Sequence, residues 1–219
     1  LFWSSLFVFG SARGRVGEGE LRVGQSFAHP HDEVCAVAER IVRHAASLAP
    51  LAVVRSAPLQ GEAGRRRSFA DSALAQLVAA VERAPARSEI WLEPKTVRLE
   101  TSERVARALL ASWRAQRVST ANLVDVNAPS SLELLDWIGE RKDREFLPPL
   151  PGSRPRSRRT PFDDVAEPER RVVAGWDLEF ERTTALELFP ELLDPSPREL
   201  VDRLIDAVDG TAGGAGAET

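Results

Sequence analysis

Methionine is missing from the chain altogether, cysteine occurs once, and lysine stands only at Lys95 and Lys142. Without a methionine even at position 1, Leu1 reads as an internal start or as a non-standard initiation codon translated literally. The single thiol, Cys35, excludes an internal disulfide and a cysteine-based zinc cluster, and it suits a reducing, cytoplasmic setting. The scarcity of lysine beside abundant arginine and alanine points to a GC-rich bacterial genome rather than to a mechanism. Long hydrophobic runs are lacking too. Leu1–Phe9 (LFWSSLFVF) is apolar but too short to span a bilayer, and it has neither the basic start nor the small-residue cleavage site of a signal peptide. It reads as a buried strand. A net charge of −4 gives no electrostatic case for a nucleic-acid partner. No G-x-G-x-x-G, P-loop or G-x-S-x-G sequence occurs, so no cofactor is expected from motif evidence.

What remains is the composition of an ordinary folded protein, with 43% apolar and 28% charged residues in 219. Leu21–Phe27 alternates and predicts a second strand, joined to the first across the glycine-rich stretch 10–20. Asp32 is placed to cap a helix whose apolar stripe, Val34, Val37, Ala38, Ile41, Ala45 and Leu48, should face the core. Leu51–Arg55 predicts a buried strand, and Ser68 with Asp71 the start of a helix carrying Leu74, Leu77, Val78 and Val81. Pro85 should end that helix. Strands are expected at Glu89–Glu93, Thr96–Glu100 and Asn122–Val126, and a core helix through Val105, Ala106, Leu109, Leu110 and Trp113. Ser130 and Glu133 form a capping box.

The alternation predicts an α/β fold, a mainly parallel or mixed sheet flanked by helices, over residues 1–145. Prolines and arginines mark 146–168 as a linker or long loop. Residues 169–209 then supply a C-terminal strand–helix appendage. Its strand runs through Val172, Ala174, Trp176, Leu178 and Phe180, and its helix starts at Ser196-Pro197. The tail 210–219 reads as disordered.

Four features could carry chemistry. His29-Pro30-His31-Asp32-Glu33 resembles the AHPDDE motif of the zinc-dependent N-acetylglucosaminyl deacetylases, which would make His29 and Asp32 metal ligands. His31 stands where that family has its general-base aspartate, so the expectation is no metal, with His29 and Asp32 as the alternative pair. Glu93-Pro94-Lys95 resembles the strand end of PD-(D/E)xK nucleases, implying metal at Glu93 and water activation by Lys95, but the acidic strand before it is missing. The loop Gln60–Arg67 leads from a strand into a helix, where Gly61, Gly64, Arg65, Arg66 and Arg67 could cradle an anion. Asp125 and Asn127, at the end of another strand, are further ligand positions by the same logic. Last, residues 141–159 hold seven basic and two acidic side chains, and 163–181 seven acidic and two basic. Arg154–Arg159 and Asp177–Glu181 are therefore the surfaces expected to meet a protein partner.

No convergent catalytic set emerges from these positions. The reading is a non-catalytic regulatory or protein-interaction module without membrane or nucleic-acid partners. Its first alternative is an enzyme or sensor taking a phosphate-bearing small ligand at Gly61–Arg67. A metal-dependent nuclease or nucleic-acid binder is the weaker one.

Overall fold

The structure, a computed structural model, describes residues 1–19, 21–46, 48–60, 72–90, 94–125, 127–147, 160–166, 170–193 and 196–214. In chain order the elements are β1 (Phe2–Ser5), β2 (Gly14–Val16), α1 (Pro30–Ala45), β3 (Ala52–Ser56), α2 (Ala73–Arg83), β4 (Arg87–Glu89) and α3 (Ser102–Ala115). Then come β5 (Ser119–Leu123), α4 (Ser131–Lys142), β6 (Glu145–Leu147), α5 (Arg170–Ala174), β7 (Leu178–Phe180), α6 (Thr183–Leu188) and α7 (Pro197–Gly214). They belong to two compact units. The first is Leu1–Leu59, Glu100–Asn127 and Asp177–Pro195, the second Gln60–Leu99, Ala128–Trp176 and Ser196–Thr219.

Among the described residues these strands pair in parallel, in the orders β1-β3-β5, β2-β7 and β4-β6. The α/β expectation therefore holds: parallel strands need crossovers, and helices supply them. Among the described residues no helix is long and apolar enough to cross a membrane.

In the first unit, side chains alternate across the β1-β3-β5 sheet. Val54, Ala121 and Leu123 point to one face and pack with Val105 and Ala108 of α3 and with Ala185, Phe189, Leu192 and Leu193. The opposite face carries a polar row. Ser4, Arg55 and Asn122 are register partners forming a row across the three strands, and all are buried. Glu39 of α1 meets this row. Its carboxylate accepts from Arg55 Nη2 at 2.7 Å, from Ser4 Oγ at 2.6 Å and from Arg43 Nε at 2.8 Å. Arg55 donates onward to Glu18 O at 3.2 Å and Asn122 Oδ1 at 3.4 Å.

That row overturns the expected facing of α1. Its buried residues are Asp32, Ala36 and Glu39, while Val34 and Ile41 are exposed. The helix turns its polar side inward because a buried guanidinium must be neutralised. The stripe expected on α3 is likewise rotated: Val105, Ala108 and Ser112 are buried, Leu109 is partly buried, and Trp113 is exposed.

The strand expected at Leu21–Phe27 does not form. Gln25 folds back, donating from Nε2 to Leu21 O at 2.7 Å and to Val8 O at 3.0 Å, and Gly24 takes φ of +74°. β2 lies instead within the glycine-rich stretch. Leu1–Phe9 divides as well, into β1 and a 3-10 turn, Leu6–Phe9, capped by the Ser5 hydroxyl.

In the second unit α2 is apolar on nearly all sides, with Leu74, Leu77, Val78 and Val81 at or near zero exposure. Such a helix can only be central. α4 begins on the full Ser130/Glu133 capping box. α7 meets α4 through charged pairs, Arg198 with Glu140 at 2.8 Å and Arg141 with Asp202 at 3.4 Å. The long strand expected from Val172 is also corrected. Arg170–Ala174 is helical, and Gly175 stops it at φ of +85°, where a Cβ would meet Lys95 at 2.7 Å.

Candidate functional site

Beyond the carboxyl ends of β3 and β5, where ligands of parallel sheets usually bind, the first unit holds a charged cluster. Arg104 Nη2 donates to Asp125 Oδ1 and to Leu192 O, both at 2.5 Å, and Nη1 lies 3.2 Å from Glu100 Oε1. Glu100 is almost fully buried, and that burial pushes its carboxyl up to about 8 against the opposing pull of Arg104 and the Thr101 N–H. A neutral acid beside a cation is chemically interesting. Yet the cluster is filled by its own partners, since Arg104 and Asp125 side chains are 11% and 6% exposed. Asp125 thus holds an arginine, and Asn127 lies exposed two residues on.

The histidine pair sits at the start of α1. His29 caps the helix, its Nδ1 accepting from the His31 N–H at 3.2 Å, and Asp32 is buried in the first turn. His31 Nδ1 is 3.7 Å from Asp32 Oδ1, and the Cys35 sulfur is 3.8 Å from the His31 ring nitrogens. Burial, with Asp32 and Glu39 nearby, pushes the Cys35 thiol up, away from a reactive thiolate. No group of three or more histidine, cysteine or acidic side chains fit to hold a metal stands among the described residues.

Gly61, Gly64, Arg65, Arg66 and Arg67 lie outside the described residues, as do Glu93 and the stretch Arg154–Arg159. Lys95 is described; its backbone pairs with Ser131, the N–H donating to Ser131 Oγ at 3.2 Å. Asp177, just before β7, and Glu179 on it are exposed.

The second unit contains a cavity of about 680 Å³, within the usual size for small-ligand pockets. The last turn of α2 and the strands β4 and β6 build it. Ala80, Ala84, Ile90, Phe146 and Pro161 give it apolar walls. Arg83, Arg87, Ser88, Glu89, Thr160 and Asp164 bring cations, hydroxyls and carboxylates to the same space. Thr160 is held by Asp163, whose Oδ2 accepts its N–H at 2.7 Å, and Arg87 pairs with Glu145 at 3.0 Å. Sequence reading passed over these residues. The available signal was local: arginines flank Pro85, and Thr160-Pro161-Phe162-Asp163 has the spacing of a capped turn.

Parallel strands linked by helical crossovers define a Rossmann-like α/β protein. Solved structures of sugar-nucleotide enzymes share this fold. A UDP-glucuronic acid 4-epimerase from Bacillus cereus in complex with NAD matches at TM-score 0.62 and 14% identity, over 97% of this chain and 60% of the epimerase. A dTDP-glucose 4,6-dehydratase from Bacillus anthracis in complex with NAD matches at 0.62 and 14%, over 97% of this chain and 62% of its own. A dTDP-4-dehydrorhamnose reductase from Bacillus anthracis in complex with NADP matches at 0.56 and 15%, over 94% and 64%. The chain thus spans less than two thirds of each. No protein-family profile matches the chain, and no curated protein does.

These neighbours correct the expectation of a non-catalytic regulatory or interaction module. The fold is one used by enzymes of small phosphate-bearing ligands, and it fits that alternative better. The ends of β1 and β5, however, offer a dinucleotide no close approach to the backbone. β1 runs directly into Leu6–Phe9, and the residues described between β5 and α4 include no glycine to let a pyrophosphate approach the backbone. Gly10 gives no such approach either, because a Cβ there would meet Ser26 O at 2.3 Å.

Proposed function

We propose that this chain binds a nucleotide-linked sugar in the α2–β4–β6 cavity, as part of an enzyme that converts such sugars. The cavity carries the reading, because its lining matches the chemistry of that ligand. An apolar wall with Phe146 suits the base, Arg83 and Arg87 suit the diphosphate, and Glu89 and Asp164 can accept hydrogen bonds from ring hydroxyls. The neighbours named above act on UDP- and dTDP-sugars, which supports the same class. A cytoplasmic setting accords with the single, half-buried thiol.

The test is calorimetric titration with UDP-glucose, UDP and inorganic phosphate. Saturable binding of UDP-glucose should weaken about tenfold or more in Arg87→Glu, which loses a charge-assisted contact and adds repulsion. Folding should hardly respond, because Arg87 and Glu145 are 70% and 55% exposed. Absence of saturable binding by the parent, or equal affinity in the variant, would refute the assignment.

A further inference from the structure

Away from the face that it turns to the core, α3 carries a second apolar ridge. Leu110 is 48%, Trp113 62% and Val118, just past the helix, 66% exposed. Ala106 is exposed too, so Ala106, Leu110 and Trp113 succeed one another at steps of four and three along one side of the helix. The ridge is left outside because Val105, Ala108 and Ser112 are the residues turned inward. Adjoining apolar side chains rimmed by charge mark an interaction surface. Tryptophan and arginine, which this surface combines, are the side chains enriched where proteins bind one another most strongly.

The rim identifies the partner. Arg107 and Arg114, seven residues apart, flank the ridge, and Arg117 stands just beyond its end; all three are exposed. Two acids share this surface. Glu103 is exposed in the first turn, and Glu187 of α6 pairs with Arg117 at 2.5 Å in a solvent-facing contact that contributes little and can be exchanged. Around Trp113 the rim is therefore positive, although the whole chain carries a net charge of −4. A second copy of α3 does not complement it. Laid antiparallel across Leu110 it would set Arg107 of each copy against Arg114 of the other, and laid parallel it would set each arginine against its own counterpart. Like charges so placed oppose association.

We propose that this face of α3 receives an acidic amphipathic helix of a different protein. The apolar side of that helix covers Leu110 and Trp113, and its carboxylates meet Arg107, Arg114 and Arg117. The inference concerns the first unit alone and is independent of the cavity and of its ligand.

Fluorescence anisotropy of a dye-labelled peptide tests the assignment. The probe is a helix of about 20 residues with leucines at helical spacing flanked by glutamates, and its control carries lysine at every glutamate. The full chain should bind the glutamate peptide saturably, more weakly as salt rises, and should not bind the lysine peptide. Trp113→Ala should weaken binding by roughly 30-fold, and Arg114→Glu by roughly tenfold. Arg203→Glu, the same charge change at an exposed position on α7, should leave it unaltered. Because Trp113 and Arg114 are exposed, both variants should keep the circular dichroism of the parent. Absence of saturable binding, equal binding of the lysine peptide, or variants that bind like the parent would overturn the proposal. So would two other occupants of the face. One is a vesicle of phosphatidylserine that binds the parent through Trp113 in preference to the peptide. The other is a second copy, seen in sedimentation equilibrium as a dimer that Trp113→Ala dissociates.

Discussion

Replacing Glu39 by alanine should be among the most damaging single changes available in the first unit. Glu39 and Arg55 are both at 0% exposure. The carboxylate takes Arg55 Nη2 at 2.7 Å and Nε at 3.0 Å, so its removal strips the guanidinium of its charge partner and of bonds shorter than those to Glu18 O and Asn122 Oδ1. Ser4 Oγ loses an acceptor at the same time. Breaking a buried pair from one side costs about 3–5 kcal/mol, a large part of the roughly 5–15 kcal/mol that holds a domain together. With a urea slope of about 2 kcal/mol per molar, the midpoint should fall by roughly 2 M. Replacing both partners, Glu39→Met with Arg55→Met, should recover much of the loss, since no charge is then stranded. The pH dependence follows from the same contacts. Burial pushes Glu39 up, but the bonds from Arg55 and Ser4 and the Arg43 charge bring it below its ordinary 4.5. Its contribution is therefore present above pH 4.5 and is lost as pH falls through the lower folded value. A midpoint shift under about 0.5 M for Glu39→Ala would refute the reasoning and with it the inward polar face of α1.

Glu100 should act in the opposite direction. Burial raises its carboxyl from 4.5 to about 8, so the stability present below pH 4.5 is lost progressively as pH rises toward 8. Urea midpoints at pH 5 and pH 8 should differ in the parent and converge in Glu100→Gln; equal slopes would contradict this. Leu109→Ala should cost less than the about 2–5 kcal/mol of a fully buried leucine, whereas Leu135→Ala, at zero exposure, should fall within that range. Comparable losses in thermal unfolding would show that α3 is more deeply packed. Ser130→Ala should cost about 1 kcal/mol, because its hydroxyl accepts from the Glu133 N–H at 3.2 Å; no change in the urea midpoint would mean that the cap is idle.

Local rules were legible from the residues alone. Ser130 and Glu133 form the expected box, Pro85 follows the end of α2, and the apolar run at Leu51–Arg55 is β3 displaced by one residue. The alternation of helix and strand predicted a parallel α/β fold because crossovers leave few other ways to bury both faces. Which face each helix buries was not legible. The stripe on α1 scores as a core face in isolation, and it loses that role only because Arg55, sixteen residues away, needs Glu39. Arg55 inside an apolar strand was the one visible hint. Glu18 shows the same limit, since its carboxylate accepts from the N–H groups of Asn122, Thr184 and Ala185, more than a hundred residues along the chain. Sequence patterns report what a segment could bury. A buried charge must be neutralised by whichever group the fold brings to it, and that choice is made only in three dimensions.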